Sequence, residues 1–125
     1  MKILLSLFLL IPSLSQGNDK IYLNIKDFIT YSISANKMMS LCKENHDYEM
    51  GKDIMFSTLY AAFNEKLINE FQMNEIEAST LKTEEEAEVI VREEGCDYAT
   101  TLIYTTYAKK LIETKKYFVE EGLLD

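Results

Sequence analysis

Two cysteines, Cys42 and Cys96, and one histidine, His46, are the side chains here whose types could carry thiol, nucleophilic or metal chemistry. Their spacing restricts what they can do. No Cys-x-x-Cys pair occurs, so thioredoxin-type exchange lacks its geometry. A single imidazole in Lys43-Glu44-Asn45-His46-Asp47-Tyr48-Glu49 completes neither a zinc tetrad nor a histidine-based triad, even with Glu44 and Asp47 beside it. A Gly-rich phosphate loop, a Gly-x-Ser-x-Gly elbow and a His-Glu-x-x-His helix are all missing. Carboxylates are abundant enough to pair for acid–base work, but they concentrate in a run instead of scattering around a pocket that could raise one pKa. The expectation is a non-catalytic protein, with no catalytic residue, no metal site and no cofactor.

That run extends from Glu75 to Asp97, where nine acids face only Lys82 and Arg92, whereas residues 98–125 balance four acids with Lys109, Lys110, Lys115 and Lys116. Glu84, Glu85, Glu86 and Glu88 are therefore the candidate acidic face, which is either a solvated helix surface or a patch that steers a basic protein partner. Met38, Met39 and Met55 are candidates for an apolar groove, since methionine adapts to helical and peptide partners. They are equally ordinary core residues. The whole chain carries a formal charge of -8, and clustered Lys and Arg for phosphate contacts are lacking, so nucleic acid is excluded as an expected partner.

The N-terminus supplies an address. Lys2 precedes the apolar run from Ile3 to Ile11, then come Pro12 and the small residues Ser13 and Ser15, a secretory signal peptide cleaved before Gln16. A membrane span needs about 20 apolar residues, so stable insertion after cleavage is not expected. No cysteine precedes Cys42, so the junction offers no acceptor for a lipoprotein acyl chain. Residues 1–15 are read as the cleaved signal and residues 16–125 as one domain, exported to the periplasm or the cell exterior.

These residues must be positioned by helices. After Gly17 there is no proline, and Gly51, Gly95 and Gly122 are the only glycines. Phe28, Ala35, Met39 and Cys42, flanked by Ile25 and Ile29, form one stripe of a first helix over 24–43. Met55, Phe56, Leu59, Tyr60, Phe63, Leu67 and Phe71 predict a second, central helix over 52–71. Residues 72–82 read as a connector with one helical turn around Ile76, and Thr83-Glu84-Glu85-Glu86 as a capping box opening a helix with Ala87, Ile90 and Val91 inward. A break or bend is expected at Gly95, with Asp97 capping a last helix that aligns Cys96, Ala99, Ile103, Tyr107 and Leu111 and runs to about residue 121. Residues 20–25 read as an extended lead-in or an extra helical turn.

Export places both cysteines in an oxidising compartment, where a Cys42–Cys96 bond is the default, with two free thiols or an intermolecular role as the alternatives. The fold class expected is an all-α bundle of four or five helices with one disulfide joining the first and last. A first helix ending Met38-Met39-Ser40-Leu41-Cys42, a last helix opening Gly95-Cys96-Asp97-Tyr98, and an apolar helix between them resemble the pilotin-like proteins of type II secretion. Those are small four-helix domains with a disulfide between first and last helices. The resemblance implies binding of a segment of a secretin subunit in a groove between helices, as an adaptor or chaperone. The same architecture also resembles periplasmic immunity proteins, which implies a toxin inhibitor acting through the acidic run. In either case the expected partner is another protein.

Overall fold

A computed structural model of the chain describes residues 2–123, with side chains from Asp19 onward. Its elements are α1 (Lys2–Cys42), α2 (Tyr48–Asn64), α3 (Glu70–Glu94), α4 (Cys96–Leu102) and α5 (Ala108–Glu120), the last two joined by a π-helical turn (Ile103–Tyr107). Four helical rods result, and no strand occurs among the described residues. Residues 20–25 belong to α1. The expected signal peptide, residues 1–15, lies outside the residues described with side chains. Among the described residues no helix is long and apolar enough to cross a membrane.

The central rod is α1, where the sequence pointed to the second helix. Ile29, Ile33 and Met38 are fully buried, and α1 packs against α2, α3, α4 and α5. Two apolar clusters follow its length. Ile25, Ile29 and Ile33 meet Leu59, Ile68, Ile76 and Phe118 in the larger, while Ala35 and Met38 meet Ala87, Ala99 and Ile103 in the smaller. The most extensive contact is between α1 and α3, and the residues that α3 buries include the small Thr80, Thr83 and Ala87. Thr80 and Thr83 satisfy their buried hydroxyls by donating to carbonyls one turn back, those of Ile76 and Ser79.

The boundaries of α2 and α3 correct the sequence expectation. The α2 helix ends at Asn64 in a Schellman turn, where Lys66 N–H bonds the Phe63 carbonyl, Leu67 N–H bonds the Ala62 carbonyl, and Lys66 adopts φ 64. Asn69 then opens α3 through a capping box with Gln72. Residues 72–82 are therefore helix, not connector, and Thr83 lies mid-helix instead of at a cap. The break at Gly95 (φ 88) is where it was expected, but Asp97 does not cap α4; it sits in the first turn, and no side chain caps that helix. A second Schellman turn ends α5, with Gly122 (φ 75) at the left-handed position and Leu123 N–H on the Phe118 carbonyl.

Candidate functional site

Both α2 and α5 pack on α1 while their own backbones stay apart, and this leaves a cleft of about 310 Å³ between them. Ile25 and Phe28 of α1 form its floor, Thr58, Ala61 and Ala62 one wall and Phe118 the other, with Glu65 beside them. Leu67 and Leu123 close one end. Those two leucines occupy equivalent places in the two Schellman turns, each following the left-handed residue, so the signals that stop α2 and α5 also finish the cleft. Phe28 and Phe118 meet edge to face, with ring centroids 6.0 Å apart, which fixes the floor against one wall. Thr58 spends its hydroxyl on the Ile54 carbonyl. The lining can bury apolar side chains and offers an acid, Glu65, to a basic group beside them. Two larger hollows, at the α2–α3 turn and along the outer side of α2, carry more polar residues in their lining than the cleft does, among them Asn64, Asn69, Asp47 and Asp53.

The structure distributes the sequence candidates unequally. Cys42 and Cys96 are bonded, with their Cα atoms 5.6 Å apart, and join the end of α1 to the start of α4. Glu84 and Glu88 meet cations from other helices: Glu84, largely buried, accepts from Tyr48 Oη (2.7 Å) and Lys52 Nζ (3.3 Å), and Glu88, at the surface, pairs with Lys37 Nζ (3.5 Å). Lys37 also sits 4.8 Å from the centre of the Tyr48 ring. Glu85, Glu86 and Glu88 are exposed, and Glu85 and Glu86 make no ion pair among the described residues. Met38, Met39 and Met55 do not assemble one groove. Met38 is fully buried with Met39 beside it in the smaller cluster, and Met55 packs against the larger one. His46 bonds through Nε2 to Asn36 Oδ1 at 2.9 Å. Among the described residues no group of three His, Cys, Asp or Glu side chains gathers as a metal site.

The residues that do line the cleft went unmarked in the sequence. Phe28, Ile25 and Phe118 read simply as core, and nothing local reveals that α2 and α5 stay apart. A helix stop at Lys66, which carries none of the usual Gly or Asn signal, was the missing clue to Leu67.

Two tyrosines tie α3 to its neighbours through carboxylates. Burial, and then donation to Glu75 Oε2 at 2.6 Å, pushes Tyr22 up to about 12. Burial and the bond to Glu84 hold Tyr48 far above the ordinary tyrosine range. The folded state thus keeps protons that the unfolded chain surrenders near pH 10. This contribution is whole below pH 10 and is lost as pH rises through the folded values. Thermal melts followed by circular dichroism should show the melting temperature falling above pH 10, and falling less steeply in Tyr22→Phe. Equal slopes in the two proteins would exclude Tyr22 from the effect.

No protein-family model, curated protein or solved structure matches this chain.

Proposed function

We propose that this chain is an exported, non-catalytic binding domain that takes an apolar segment of another protein into the α2–α5 cleft, in the manner of an adaptor or chaperone for an envelope or secretion protein. One observation carries this reading: the cleft is lined by Ile25, Phe28, Ala61, Leu67, Phe118 and Leu123 and is open to solvent between two helices whose backbones stay apart. The resemblance to pilotin-like domains supports the same assignment, since it implies a groove between helices as the working surface. The disulfide supports export, because such bonds persist in oxidising compartments. The inhibitor reading draws less support, since Glu84 and Glu88 are engaged with Lys52 and Lys37 within the fold.

Ala61→Arg tests the assignment. Ala61 is exposed on α2 and lines the cleft, so the arginine places bulk and charge at its mouth at little cost to folding. A protein captured from the native envelope fraction by the wild-type domain should be lost with Ala61→Arg and kept with Glu85→Lys and Glu86→Lys. The opposite pattern would transfer the function to the acidic run.

A further inference from the structure

The outward faces of α3 and α5 carry a matching pattern that neither the core nor the cleft uses. On α3, Leu81, Glu85 and Val89 follow one another at four-residue spacing and are all exposed, Leu81 at 65 %. On α5, Ile112, Lys116 and Val119 repeat the arrangement at spacings of four and three, with Ile112 at 68 %. Each face is an apolar, charged, apolar ladder about 11 Å long at the 1.5 Å rise of a helix, acidic at the centre of one and basic at the centre of the other. Glu85 makes no ion pair among the described residues, and Lys116 has only a 4.0 Å contact with Glu120 on its own helix.

We infer that the α3 ladder of one molecule docks on the α5 ladder of a second copy of this chain, with Glu85 against Lys116 and Leu81 and Val89 against Ile112 and Val119. Complementary charge at matched spacing, Glu85 on one face and Lys116 on the other, selects this occupant. The contact cannot close on itself. Residues of α1 that touch α3 (Tyr22, Lys37) and those that touch α5 or the π-helical turn leading into it (Phe28, Tyr31) lie about half a turn apart around α1, so the two ladders face opposite ways. A contact of this kind is heterologous and propagates as an open chain instead of ending at a dimer. Since α5 has 13 residues and so is roughly 20 Å long, the area falls well short of the ~800 Å² per partner of a standard interface, and the association is weak.

Sedimentation velocity of the oxidised domain over roughly 0.05–2 mM, a range suited to an interface of that size, should show weight-average mass rising past that of a dimer. Glu85→Lys and Lys116→Glu should each return the protein to a monomer, and the double variant should restore the growth. The two single changes move net charge in opposite directions, so a shared loss cannot come from net charge, and the double variant leaves it unaltered. A wild type that stays monomeric, growth that stops at a dimer, or single variants that associate like wild type would each overturn the inference. So would Lys116-dependent binding to anionic phosphatidylglycerol vesicles without growth in mass. None of these outcomes bears on the cleft, which the Ala61→Arg variant tests separately.

Discussion

Reducing the Cys42–Cys96 bond, or replacing both cysteines with serine, is expected to lower stability by about 4 kcal/mol and the melting temperature by roughly 15–20 °C. The magnitude follows from closing a loop between residues 54 apart, the greater part of the packed chain. The topology suggests the bond matters at least that much. The rod formed by α4, the π-helical turn and α5 packs along α1, while its contact with α3 is confined to α4, beside the single-residue turn at Gly95. Ala99 and Ile103 hold the start of that rod through a cluster of only five buried residues, and no side chain caps it. Without the bond, the rod keeps the small cluster at its start, the Tyr31–Tyr107 ring contact at 5.2 Å in its middle and Phe118 at its far end. Melts with and without reductant, alongside the double serine variant, measure the effect. Both cysteines are at least partly exposed, so serine leaves no large apolar hole and the variant reports on the cross-link. A change below about 1 kcal/mol would mean that the two apolar clusters alone fix the rod, and the staple would lose its structural role.

The parts of this fold that were legible in the sequence are those whose signal is large and local. The stripe from Ile25 to Cys42 predicted α1, the glycine at 95 predicted the break, and two cysteines behind an expected signal peptide predicted the staple. What escaped reading did so for identifiable physical reasons. The inward face of α3 runs Ile76, Thr80, Thr83, Ala87, a regular helical spacing whose polar and small members disguise it as connector. Thr80 and Thr83 are tolerated there because each hydroxyl donates to a carbonyl of the preceding turn, so neither needs an apolar side chain to be buried. Thr83-Glu84-Glu85-Glu86 has the form of a capping box, but Asn69 and Gln72 make the real one fourteen residues earlier. Periodicity does not say which glutamates meet lysines from other helices; Glu84 meets Lys52 and Glu88 meets Lys37 only once the rods are packed. The cleft was invisible for the same reason, being a gap between elements distant in the chain.

Leu59→Ala and Phe71→Ala should separate sharply, although the sequence places both residues on one stripe of one helix. Leu59 is fully buried in the larger cluster, between α1 and its own helix, so truncation removes its transfer free energy and leaves a cavity that rigid rods cannot collapse. A loss of about 3 kcal/mol and roughly 12–15 °C is expected. Phe71 lies beyond the Lys66 turn, on the first turn of α3, and is 75 % exposed. Its truncation should cost within about 0.5 kcal/mol, since little apolar surface returns to water and alanine is the better helix former. Urea titrations of the two variants at low protein concentration compare them directly, with the midpoint shifting for Leu59→Ala and the slope unchanged in both. The comparison discriminates between two chain paths. If the helix ran on unbroken to residue 71 along the first stripe, both substitutions would open holes of similar cost. If it ends at Asn64, only Leu59 does, and Lys66 in its left-handed conformation is what turns Phe71 away from the core.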